Sequence, residues 1–187
     1  MLAIDALVNR VSCGKLQKPA PSGEVLGNIQ AAALRAADHG GLTPWRFLVV
    51  QGSGLNDLGA LYLESAKAEN ETLSDAQALR YLNMPERAPM VVVAIAEALE
   101  HAKVPVSEQL LATGAAVQNM ITAAFAQGVG AYWRTGPLAY SEVVRSGLGL
   151  SAKESIVGFI YLGTPIGDLK VKPVRPVSDF FQEWPAK

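Results

Sequence analysis

Residues 90–96 read MVVVAIA. Pro89 launches this run and Glu97 follows it, and between them no polar residue alternates with the apolar ones. A half-buried strand would show that alternation, so the run reads as a strand covered by helices on both faces. It is also far shorter than the roughly 20 residues that cross a bilayer.

Working outward, Ser107 caps a long helix reaching about Gln127, with Val117, Met120, Ile121, Ala124 and Phe125 on one stripe. Ala112, Gly114, Ala115, Ala116, Ala123 and Ala124 make this helix thin enough for close approach by a neighbour. Gly128 and Gly130 end it, AYWR at 131–134 is the next strand, and IVGFIYL at 156–162 is the last strong one. Ser141 to Ser146 reads as a short helix, and Ser151-Ala152-Lys153-Glu154 as a capping box without room for a long one.

Upstream, Phe47 to Val50 is a strand closed by the turn QGSG at 51–54. Residues 57–87 are helical in pattern but polar and irregular, with Ser74-Asp75 as an internal N-cap. Ser22 caps a helix running to about Ala37, and Ile4, Leu7, Val8 and Val11 recur as the stripe of an opening amphipathic helix. The tail at 170–187 has no periodicity, yet FFQEW within it is too apolar to lie loose in water. Four strands interleaved with helices make an α/β or α+β sandwich, most simply one domain over residues 1–187.

The composition excludes several roles. Half of the 187 residues are hydrophobic, so the chain can bury a core and does not read as disordered. A net charge of −1 and a pI near 6.1 offer nothing to nucleic acid or an anionic membrane. Cys13 is the only cysteine, which rules out an intrachain disulfide and any multi-cysteine metal site; two histidines are too few for most zinc sites. MLAIDALVNR lacks the basic and apolar regions of a signal peptide, so a soluble cytoplasmic protein is expected.

Three clusters could carry chemistry. Arg10, Ser12 and Lys15 share one short loop, where an Arg, a hydroxyl and an ammonium can hold a phosphate; alone, the cluster also fits solvated surface. Arg35 and His39 stand at i and i+4, which on a helix places them on one face; an Asp38–Arg35 pair beside a capping His39 is the plainer alternative. Trp133, Arg134 and Thr135 sit at the C-terminal end of a strand, where open sheets place ligands, and a buried Arg there needs an anionic partner. Cys13 is either a small buried residue or a thiol activated by the neighbouring cations. No Ser-His-Asp arrangement, dinucleotide-binding glycine pattern or P-loop is present.

The order of NRVSCGKL (9–16), LRAADHGGLTPWRFLVV (34–50), GAAVQNMITAAFAQGVG (114–130), AYWRTG (131–136) and IVGFIYLGTP (156–165) resembles the FMN-dependent nitroreductase family, in a short bacterial branch of it. The resemblance runs from residue 1 to about 168. It implies an α+β fold with a mostly antiparallel central sheet, an intertwined homodimer, and FMN at the subunit interface with NADH or NADPH as electron donor. The implied flavin contacts are Arg10, Val11, Ser12 and Lys15 from one loop, Arg35 and His39 reaching across from the partner, and Trp133, Arg134 and Thr135. The helix end near Ala123 to Gly128 is implied in nicotinamide binding, and the tail would wrap the partner.

The chain departs from the family pattern at four places. Val11 stands where a second basic residue is usual, Lys15 where Arg is common, Ala37 for a frequent Pro, and Thr43 for a longer amide. The implied activity is hydride transfer from NAD(P)H through flavin to nitroaromatics, quinones or similar flat electrophiles. Dehalogenation, enoate reduction or flavin breakdown on the same fold, and a non-catalytic flavin-binding or redox-sensing role, are the alternatives.

Overall fold

A computed structural model describes residues 1–184. The run at 90–96 forms the centre of the sheet. Strand β3 (Met90–Glu97) lies antiparallel between β2 (Trp45–Gln51) and β5 (Glu154–Pro165). The far edge of β5 is shared by β4 (Gly130–Arg134) and the two-residue β1 (Leu16–Gln17), both antiparallel to it.

The continuous apolar run is explained by two covered faces. Val91, Val93 and Ile95 pack into one core with Leu58, Tyr62, Val144 and Phe159. Met90, Val92 and Ala94 pack into a second with Ile29, Val117, Met120 and Ile121. Fully burying a Val or Ile side chain contributes about 1.5–3 kcal/mol, so the buried Val91, Val92, Val93 and Ile95 tie β3 firmly into the sheet. The expectation of helices on both faces holds, although the sheet is antiparallel throughout its described pairs.

On the first face lie α3 (Gly54–Glu69), α4 (Asp75–Leu82) and α6 (Glu142–Gly147). The irregular stretch at 57–87 is thus two helices, and Ser74 does cap the second: its hydroxyl accepts from the Gln77 N–H at 3.3 Å while the Gln77 amide oxygen accepts from the Ser74 N–H. The two cross so closely at Gly59 that any Cβ there would overlap the Leu82 carbonyl oxygen. On the second face lie α2 (Gly23–Ala33) and α5 (Val106–Ala126), which is capped by Pro105, with the expected cap Ser107 inside its first turn. Gln109 is buried in α5 and ties down the preceding loop, accepting from the Leu99 N–H and donating to the Leu99 and Val104 carbonyls.

Two expectations are corrected. The helix from Ser22 stops at Ala33 rather than Ala37. The Ser151–Glu154 segment is a turn into β5, not a helix start: the Glu154 carboxylate accepts from the Ser151 N–H at 2.7 Å and pairs with Arg46 on β2.

The opening helix α1 (Ala3–Asn9) forms as expected, but its apolar stripe faces outward. Ile4, Leu7 and Val8 are exposed, as are Leu34, Val106 and Leu111 elsewhere on the surface. The tail adds Val171, Val174 and Trp184, each more than nine-tenths exposed. Residues 185–187, which the tail expectation included, lie outside the described residues.

Candidate functional site

The Arg10 loop and the end of β4 come together. The Cys13 N–H donates to the Ala131 carbonyl at 2.9 Å, which lays residues 10–15 along β4. Within the loop, the Arg10 guanidinium reaches the Ser12 hydroxyl at 3.5 Å, while Ser12 and Lys15 are exposed. The Val11 side chain is buried, so only its backbone can face a ligand. Cys13 is buried too, its thiol turned to the Lys15 carbonyl, which takes up the packing role offered for it.

Gly14 permits the close approach. A Cβ there would stand 3.1 Å from the Tyr132 ring and 3.8 Å from Arg134 Nη2. Arg134 itself stands over Tyr132, its guanidinium Cζ 4.2 Å from the ring centre and 5.4 Å from that of Tyr161. Its buried Nε has no hydrogen-bond partner, and among the described residues no carboxylate pairs with its guanidinium. The anionic partner expected of this arginine is therefore not supplied by the described chain.

Trp133 does not join this cluster. Its indole sits on the opposite face of the sheet, donating to the Val157 carbonyl at 3.2 Å and resting on Gly158, where a Cβ would overlap the indole nitrogen. Thr135 and Gly136 follow the strand and are exposed at the mouth of a cleft of about 440 Å3 between β4 and α3–α4.

Arg35 and His39 do not share a helical face. Arg35 lies beyond the end of α2, Asp38 is extended, and His39 opens a single 3₁₀ turn with Gly40 and Gly41 at positive φ. The Asp38 carboxylate accepts from the Thr43 N–H, and the Thr113 hydroxyl on α5 donates to the Pro44 carbonyl at 3.0 Å. The local Asp38–Thr43 bond and the tertiary Thr113–Pro44 bond draw the chain off the helical path. His39 Nδ1 contacts Glu108 in the first turn of α5. Both Arg35 and His39 are exposed, on a surface shared with Leu34 and Leu111. The Gln127 amide at the end of α5 is engaged by Asn28, Val25 and Ala123.

Sequence reasoning missed Tyr132 and Gly14, which orient Arg134; only the pleat alternation of β4 hinted that Tyr132 and Arg134 share a face. It also missed Arg80 and Arg87, which line the same cleft as Arg134 from α4 and the turn after it.

Residues 7–164 match the model of the nitroreductase family. The chain belongs to that family. This nitroreductase-family chain is 43% identical over 166 residues to the Escherichia coli K12 protein named "Putative NAD(P)H nitroreductase YdjA", covering 88% of this chain and 89% of that one. A Haemophilus influenzae protein named as an NAD(P)H nitroreductase of the same standing is 36% identical over 165 residues, with 88% and 89% covered. Among solved structures, a nitroreductase-like family protein from Bacillus cereus superposes with a TM-score of 0.84 at 22% identity, over 100% of this chain and 97% of that one. One from Desulfovibrio desulfuricans, solved in complex with FMN, gives 0.74 at 24% identity over 99% and 98%. The chain thus shares the nitroreductase fold over its described residues and is an oxidoreductase of that family.

Proposed function

We propose that this protein is an FMN-dependent NAD(P)H oxidoreductase that works as a homodimer and reduces nitroaromatics, quinones or similar flat electrophiles. The observation that carries the proposal is the meeting of the Arg10–Lys15 loop with Arg134, whose buried Nε lacks a partner. Arg10, Ser12, Lys15 and Arg134 form a set of donors matched to an anionic, oxygen-rich cofactor, and FMN fits it. YdjA and the Haemophilus influenzae relative are named for NAD(P)H, and the Desulfovibrio desulfuricans structure holds FMN, which supports the same reading.

FMN, when bound, accepts hydride from NAD(P)H and passes it to the acceptor. The chain contributes binding and charge. Arg10 and Lys15 supply positive potential from a loop pinned to β4, and Ser12 adds a neutral donor. The cation–π contact with Tyr132 holds the Arg134 guanidinium in place without neutralising it. Arg35 and His39 face outward beside exposed leucines, where they serve the site of a second subunit rather than their own. No side chain is needed as nucleophile or general base, in keeping with the lack of a triad.

Purified protein should be yellow, or become so on loading with FMN. Its flavin absorption should bleach on adding NADH or NADPH without oxygen. Protein that stays colourless after incubation with FMN would sink the reading.

A further inference from the structure

The cleft between β4 and the α3–α4 pair is lined by Arg80 and Arg87, whose charge the proposed cofactor chemistry leaves unused, and it borders the proposed flavin site at Arg134. Arg134 forms part of its wall at the end of β4, and Arg80 and Arg87 stand exposed at its edge. Glu69 is the one acidic residue among its lining groups. Among the described residues the ion pairs are His39–Glu108, Arg46–Glu154 and Arg145–Glu142, so none of the three arginines has a carboxylate partner.

The neighbouring phenols do not supply the missing negative charge. Burial pushes the Tyr161 hydroxyl up, against the opposing pull of Arg134 and Arg87, and burial pushes Tyr62 further still. Both therefore stay neutral at ordinary pH. Tyr81, Tyr132, Met84 and Leu138 give the lining rings and apolar side chains, beside the hydroxyls of Ser65 and Thr135. A concave site lined by rings, apolar side chains and three arginines without carboxylate partners suits a small organic acid, whose oxyanion the arginines can hold and whose body the rings and methionine can cover.

We propose that this cleft binds the carboxylate or phosphate group of a small organic acid, next to the Arg134–Gly136 segment of the flavin site. The proposal rests on the flavin reading only for the role of that acid, an acceptor whose nitro or quinone group takes electrons from the flavin and protons from solvent. Binding itself needs no flavin. Arg80 and Arg87 close on the oxyanion from α4 and the turn after it, while Arg134, fixed by Tyr132, contributes potential from the wall.

The test is calorimetric titration of the protein as isolated, and again after saturation with FMN, with benzoate and with inorganic phosphate as probes. At least one probe should bind in both states. Arg80→Gln and Arg87→Gln should each weaken binding about tenfold, the effect of losing one charge-assisted contact. Lys67→Gln, the same change of charge on the neighbouring α3 but outside the cleft, should leave it intact. Circular-dichroism melting shows whether each variant is folded, and the pair of arginine variants guards against one failing to fold. No binding by either probe overturns the proposal. So does binding that vanishes on saturation with FMN, which would assign these cations to the phosphate of the cofactor. Equal weakening by Lys67→Gln also overturns it, since that marks a diffuse surface charge. Colourless protein that still binds benzoate would refute the flavin reading and leave the cleft standing; yellow protein that binds neither probe would do the reverse.

Discussion

Trp133 and Arg134 are consecutive in β4, yet their side chains leave the sheet through opposite faces. The Trp133 indole is bonded to the Val157 carbonyl and seated on Gly158. The Arg134 guanidinium lies over Tyr132 beside Gly14. The pleat separates the packed indole from the guanidinium proposed to bind FMN within one dipeptide. Trp133→Ala should therefore lower stability by about 3 kcal/mol, read by urea denaturation. Arg134→Gln should cost less stability and weaken FMN about tenfold, read by flavin fluorescence on titration. Unchanged FMN affinity in Arg134→Gln would remove it from the site.

Arg10 and Val11 make a similar pair. Val11 is buried, whereas Arg10 is only half-buried and points along the loop to Ser12. Val11→Ala should lower the melting temperature through a loss of about 1 kcal/mol. Arg10→Ala should leave melting of the flavin-free protein nearly unchanged while its FMN content after gel filtration falls several-fold.

Thr43 is the only non-glycine residue with positive φ among the described residues, at 47°. A β-branched side chain is strained there, and its place between the Asp38 carboxylate and Pro44 keeps it so. Thr43→Gly should stabilise the protein by about 1 kcal/mol, visible as a higher melting temperature. A lower one would mean that the hydroxyl, which donates to the Leu42 carbonyl, outweighs the strain.

The Glu154 carboxyl is held down at about 2, chiefly because Arg46 donates to it, with a further bond from the Ser151 N–H. Its folded value lies below the ordinary 4.5, so its contribution is complete above pH 4.5 and fades as pH falls towards 2. The size is of order 2 kcal/mol, reduced by the partial exposure of Arg46. Wild-type stability should drop across that window, and Glu154→Gln should flatten the drop. The two curves should converge at its acid end.

Leu7 on α1 and Leu111 on α5 are both exposed, 65% and 72%. If these faces meet a second subunit, Leu7→Arg and Leu111→Arg should shift sedimentation from dimer to monomer. Flavin should be lost with the dimer, since Arg35 and His39 are proposed to act across the interface. Monomers that keep FMN tightly would show that one chain builds the site alone.

Much of the fold was legible along the chain. The unbroken run at 90–96, the small-residue helix at 112–124 and the Ser74 cap each produced the element expected of them, because burial on both faces and local capping leave a mark on consecutive residues. The stretch AAALRAADH misled for the same reason. Its alanines favour helix locally, and nothing within it announces that Thr113, 69 residues beyond Pro44, will hold the Pro44 carbonyl and that Asp38 will turn to Thr43.

By itself, then, the sequence determined that residues 90–96 would be a strand covered on both faces, that Val117, Met120, Ile121 and Ala124 would form a packing stripe, and that Arg10, Ser12 and Arg134 were available for an anion. Those facts follow from hydrophobic pattern and side-chain chemistry, which are properties of the chain. Only the tertiary structure decided that the Arg10 loop would lie against β4, that Trp133 and Arg134 would part company, and that Arg80 and Arg87 would join Arg134 at one cleft. Each of these depends on the pairing register of strands and the crossing of helices distant in the chain, where a shift of one residue exchanges the faces of a strand.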